Sequence, residues 1–127
     1  MLDPEVRRVL DGVSIAHLAT ILPDGAPHVV PVWVGARGEH IVFLTGPGMR
    51  KARNLRRDPR LALSIAPVDD PFTPVAIRGR LVEWLEGDEA WEIVDALCMK
   101  HTGGPYARDR ERVVGVIEPE RQRAGVG

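Results

Sequence analysis

Three runs rich in β-branched residues follow one another between Ser14 and Thr45 with only tight turns between them. Ser14–Leu22 sets Ile15, Leu18, Ile21 and Leu22 among small residues, Pro27–Gly35 reads PHVVPVWVG, and His40–Thr45 reads HIVFLT. The joints are Pro23-Asp24-Gly25-Ala26 and Arg37-Gly38-Glu39, both made of turn formers. A parallel neighbour needs a crossover of about a dozen residues, and neither joint is long enough, so the spacing predicts an antiparallel meander. Pro31 sits inside the second run and has no N–H to give a ladder. That predicts an edge or a bulge there, with backbone groups left for a ligand.

The rest of the chain alternates helical and strand patterns. Asp3-Pro4 is a helix start, and Val6, Val9 and Leu10 then share one face until Asp11-Gly12. Met49–Asp58 is a helix with Ala52 and Leu55 inward, ended by Pro59. Leu61–Ala66 and Val75–Leu85 are strands four and five. A second substantial helix runs from Glu89 to about Lys100 behind Gly87-Asp88, with Ala90, Ile93, Val94 and Leu97 on one face, and Arg112–Ile117 is strand six. The order α-β-β-β-α-β-β-α-β predicts a mainly β fold: a six-stranded antiparallel barrel with helices outside it, not a doubly wound parallel sheet. A chain of 127 residues fits one domain over residues 1–127. Residues 119–127 carry no apolar pattern and are expected to fray.

The charge is local. Net charge is −1, which excludes a globally basic nucleic-acid binder. Yet Arg50, Lys51, Arg53, Arg56, Arg57 and Arg60 lie within eleven residues opposed only by Asp58. They ride on a short helix that follows the Gly46-Pro47-Gly48 loop. Backbone N–H groups at a helix start favour an anion, and Arg50 and Lys51 add charged donors at the same place. Two readings stand on spacing alone: a phosphate site, or a solvated basic helix face.

No GxGxxG, P-loop, GxSxG or HExxH motif is present. His17, His40 and His101 are isolated, and His28 lies in a strand that either lines a site or is structural. Cys98, the single cysteine, excludes a disulfide framework and reads as a buried or half-buried thiol of an amphipathic helix. Trp33 either packs in the barrel or borders a flat ligand, and Trp84 and Trp91 read as core or interface. There is no apolar leader and no run of ~18 apolar residues, so neither secretion nor a membrane span is expected, and the lone Cys agrees with a reducing cytoplasm.

Ala19–Val34 (ATILPDGAPHVVPVWV), Val42–Ile65 (VFLTGPGMRKARNLRRDPRLALSI) and Val75–Trp84 (VAIRGRLVEW) together resemble the pyridoxamine 5'-phosphate oxidase-like split β-barrel flavoproteins. Within them the chain is most similar to small actinobacterial members that use the deazaflavin coenzyme F420. The resemblance covers roughly residues 5–118. It implies a six-stranded split barrel and a homodimer with two equivalent cofactor sites at the interface. It implies that His28, Val30, Pro31, Val32 and Trp33 run along the cofactor ring, and that Thr45 approaches the ribityl chain or phosphate. Met49, Arg50 and Lys51 would bind the phosphate, with Arg56 or Arg57 nearby, Gly79 on a flanking strand, and Tyr106 closing the pocket or coming from the partner. His101 departs from the aromatic residue that members often carry before this loop. The implied activity is hydride transfer from reduced coenzyme F420 to an electron-poor small molecule of enone, quinone or tetrapyrrole type. The alternatives are an FMN-binding oxidoreductase and a non-catalytic protein that binds a cofactor or a haem-type ligand. A nucleic-acid module built on the basic helix is disfavoured by the resemblance. The missing acid–base motifs agree with chemistry carried by a cofactor.

Overall fold

The computed structural model describes residues 1–125. Among these residues six strands close an antiparallel barrel in the order β1-β2-β3-β6-β5-β4. The strands are β1 (Ile15–Ile21), β2 (Pro27–Arg37), β3 (His40–Thr45), β4 (Arg60–Ile65), β5 (Val75–Leu85) and β6 (Val113–Ala124). The helices are α1 (Pro4–Asp11), α2 (Arg50–Arg57) and α3 (Gly87–Thr102). The expected mainly β, six-stranded split barrel and its element order are present.

The core follows from the two-residue period of a strand. In β1, Ala16, Leu18 and Thr20 are buried while Ile15 and His17 face out. Val34, Phe43, Leu63, Ile65, Ile77 and Ile117 complete the interior, and α1 lays Val6, Val9 and Leu10 onto it. A second cluster lies outside the barrel wall. There Val42, Val114 and Val116 meet Ala90 and Val94 of α3. β3 and the first half of β6 are therefore covered on both faces, which is why they read as unbroken apolar runs. The outer face of β1, β4 and β5 stays open, with His17, Ser64, Ala76 and Arg78 exposed.

β2 changes partner midway. Pro27–Trp33 pairs with β1, and only Val34–Arg37 pairs with β3. Pro31 thus falls in a segment with a strand on one side only, as its missing N–H requires.

Most element boundaries lie within one or two residues of the sequence expectation, and two differences stand out. β2 runs on to Arg37. More consequentially, β6 continues through Ala124 and pairs with β5 along its length, where fraying from Pro119 was expected. The stretch is held by polar bonds that no apolar pattern reveals: Gln122 Nε2 donates to Met1 O (2.7 Å), and Asp3 N donates to Gln122 Oε1 (2.8 Å). Residues 126 and 127 of that expected tail lie outside the described residues.

Candidate functional site

The parting of β2 from β3 opens a cavity of about 460 Å³. One wall is β2 itself, through Pro31, Val32 and Trp33, with Ile15 beside it on β1. The other comprises the end of β3 (Leu44, Thr45, Gly46) and the start of α2 (Met49, Lys51), closed by Tyr106 and Arg112 from the segment before β6. The tight passage of the chain at Gly46 belongs to the site. A Cβ there would come within 3.1 Å of the Arg112 guanidinium and 3.3 Å of the Met49 side chain.

Aromatic contacts set the shape. Trp33 stacks on His101 with ring centroids 4.8 Å apart and planes 9° from parallel. His101 is held from behind by the carbonyls of Leu97 (3.0 Å) and Ser14 (3.2 Å). Tyr106 meets Trp33 edge-on at 6.4 Å. The result is a flat, partly apolar wall braced by α3.

The opposite side is cationic. Arg112 is only 8% exposed. Its Nε donates to Tyr106 Oη (3.0 Å) and its Nη1 to Glu111 O (2.9 Å). Neither Arg112 nor Lys51 has a carboxylate partner among the described residues, and no acidic residue lines the cavity. Burial pushes the Lys51 ammonium below its ordinary value, and the neighbouring Arg112 charge pushes it the same way. α2 has no acidic residue in its first turn either. Two poorly compensated cations beside a helix start make a place for an anionic group.

The structure gathers Pro31, Val32, Trp33, Thr45, Met49, Lys51 and Tyr106 around one cavity. It places the other six residues singled out from the sequence elsewhere. His28 and Val30 alternate away from Pro31 and Trp33 and face inward. Val30 packs on the core, and His28 Nδ1 is buried without a partner among the described residues. Arg50 follows Met49 on α2 but does not line the cavity. Arg56 donates to Pro47 O (2.6 Å) and lies over the Trp84 ring, while Arg57 donates to Ile21 O. Gly79 sits on β5, where a Cβ would come within 2.3 Å of Glu118 O, so close backbone approach alone requires a glycine.

Sequence reasoning missed Arg112, Ile15, Leu44 and Gly46 as cavity residues, and His101 as the support of Trp33. The available signal for Arg112 was its place between the Tyr106 loop and an apolar strand.

Residues 2–124 match the sequence model of the family described as pyridoxamine 5'-phosphate oxidase. The chain belongs to that family. Among solved structures, this family member is similar to an F420 reductase, with 26% identity, 92% of this chain and 94% of that one covered, and a TM-score of 0.81. It is similar also to a conserved hypothetical protein of Mycobacterium tuberculosis (29% identity, 98% and 84% covered, TM-score 0.80). The general stress protein 26 of Bacillus anthracis shares the fold at 14% identity, with 95% and 91% covered and a TM-score of 0.74. No curated protein matches in sequence. Among the described residues no helix is long and apolar enough to cross a membrane, and no cluster of three metal-ligating side chains occurs.

Proposed function

We propose that this oxidoreductase-family chain binds reduced coenzyme F420 in the β2–β3 cavity and passes a hydride to an electron-poor small molecule. The observation that carries the reading is the pairing of two uncompensated cations, Lys51 and Arg112, with a flat aromatic and apolar wall in one cavity. That donor set fits a planar ring joined to an anionic group, and the volume lies in the usual range for such ligands. The 26% likeness to an F420 reductase supports the choice of deazaflavin.

In this reading Lys51 and Arg112 hold the phosphate, and Met49 and Arg50 shape the helix start around it. Thr45, whose hydroxyl has only long contacts with Gly46 O (3.4 Å) and Met49 Sδ (3.5 Å), is available to the ligand chain. Trp33 keeps the ring flat and excludes water from one face, with His101 fixing its plane. The bound coenzyme supplies the hydride, so the protein's part is orientation and electrostatics. The protein is a cytoplasmic homodimer of one domain, with the exposed apolar rim of Ile15, Val29 and Pro31 in the subunit contact.

Titration of the purified protein with coenzyme F420, followed by fluorescence, tests the reading. Saturable binding that weakens at least tenfold in Lys51→Met (about 1.4 kcal/mol) is the expected result. A protein that is yellow as purified and binds FMN but not the deazaflavin overturns the cofactor assignment. Binding of neither overturns the whole proposal.

A further inference from the structure

We propose that Asp95 and Arg108 are positioning residues for the cavity: together they clamp the backbone of Tyr106 and so hold its ring, and Arg112 bonded to it, in place. This rests on the Lys51–Arg112 cavity being the ligand site, as the function proposed above requires. Residues 103–112 join α3 to β6 and supply both of the side chains that close the cavity. The segment leaves α3 at Gly103, whose φ of +81° suits a glycine, and passes through Gly104 and Pro105. No ladder or helix fixes it beyond that point, so side-chain contacts set its place.

One ion pair grips Tyr106 at both ends of its backbone. The Tyr106 N–H donates to Oδ1 of Asp95, on α3 (3.3 Å). Arg108 Nη1 donates to Tyr106 O (3.0 Å) and to Asp95 Oδ1 (2.9 Å), and its Nη2 donates to Asp95 Oδ2 (2.6 Å). The pair is therefore bidentate, the geometry in which an exposed ion pair has directional value. The Arg108 guanidinium also lies 3.9 Å from the ring centroid of Trp91, on the same helix as Asp95. Trp91 in turn meets the Tyr106 ring at 6.1 Å. Hydrogen bonds from Arg108 hold the Asp95 carboxyl below its ordinary value, and the Tyr106 N–H adds to the effect. The clamp thus keeps both charges at neutral pH.

The grip reaches the ligand site through the Tyr106 side chain. Its Oη accepts from Arg112 Nε (3.0 Å), and its ring meets Trp33 edge-on at 6.4 Å. Trp33, Tyr106 and Arg112 line the β2–β3 cavity on one side and a second cleft of about 430 Å³ on the other. These three side chains are the partition between the two spaces. Cys98, only 6% exposed, lies in the second cleft with Pro105 and Tyr106. Release of the clamp lets Tyr106 swing, takes the acceptor away from Arg112 and uncovers the Cys98 thiol. The single cysteine of the chain therefore reports the state of the clamp without any ligand.

The test pairs thiol labelling with coenzyme titration in the full chain. Asp95→Asn, Arg108→Gln and the double variant are labelled with N-ethylmaleimide at neutral pH and titrated with coenzyme F420 by fluorescence. Each single variant should label about threefold faster or more and bind the coenzyme about threefold more weakly or more, the reach of a well-formed exposed pair. The double variant should match the singles, because either change already opens the clamp. Arg108→Lys keeps the charge but not the fork, and should behave as Arg108→Gln does. Urea unfolding gives the global stability of each variant and separates local release from general loosening. The proposal is overturned if the variants label at the wild-type rate, or no faster than their lost global stability accounts for. It is equally overturned if Arg108→Lys restores wild-type labelling and affinity, or if the wild type binds the coenzyme and the variants bind it as well. A wild type that binds no coenzyme sinks the function proposed above, and the labelling arm then decides the clamp alone.

Discussion

Lys51 is the residue whose behaviour reports most directly on the cavity. Burial and the Arg112 charge both disfavour its ammonium form, so its folded value lies below the ordinary 10.5. Between that lowered value and 10.5 the unfolded chain holds more protons, and this group's contribution to stability rises with pH. A bound anion works the other way because it favours the ammonium. Affinity for coenzyme F420 should therefore fall as pH climbs through the same window, and a fluorescence titration at several pH values should show that limb flattened in Lys51→Met. Arg112 answers to a different measurement. Its Nε donates to Tyr106 Oη, so Tyr106→Phe leaves a buried guanidinium one acceptor short. Urea unfolding should show a loss of about 1–3 kcal/mol. Adding Arg112→Met should cost less than the sum of the two single changes, since the orphaned donor is then gone.

At the level of elements, β6 separates what the sequence discloses from what it conceals. Its first half, Val113–Ile117, was legible as an apolar run. Its second half was not, because Gln122 bonds to Met1 and Asp3 where an apolar side chain would have announced a strand. Gln122→Ala should lower stability by about 1–2 kcal/mol in thermal or urea unfolding, with faster amide exchange in residues 119–124. Two of the three strand glycines, Gly79 and Gly115, make a sharper contrast. A Cβ at Gly115 would strike the Phe43 ring (2.4 Å), whereas at Gly79 it would strike a backbone carbonyl (2.3 Å). Both Gly→Ala changes should destabilise, Gly115→Ala by about 1–3 kcal/mol and Gly79→Ala by more. Phe43→Leu should rescue part of the loss at Gly115 and none at Gly79, as paired unfolding curves would show. The β1–β2–β3 meander was readable because turn residues and two-residue alternation are local signals. The stacking of Trp33 on His101 and the approach of Arg112 to Lys51 were not, because each joins residues distant along the chain.

For the whole molecule the decisive asymmetry is between the covered and the open side of the barrel. α3 covers β3 and β6, while Ile15 and Val29 remain 40% and 57% exposed beside Pro31. Such a rim is well suited to a second copy, and light scattering at micromolar concentration should give twice the 14.0 kDa chain mass. Ile15→Glu/Val29→Glu should shift the particle toward the chain mass while the far-ultraviolet circular dichroism stays unchanged. Barrel closure has a consequence of its own. β6 is the last of the six strands in the sequence, yet it is the stave between β3 and β5. During synthesis, then, five strands emerge before the sheet has any means of sealing. β3 and β5 present bare ladder edges until residues 113–124 clear the ribosome exit tunnel. A chain stalled before Val113 should recruit holdase chaperones and aggregate, and release of the final strand should end both at once.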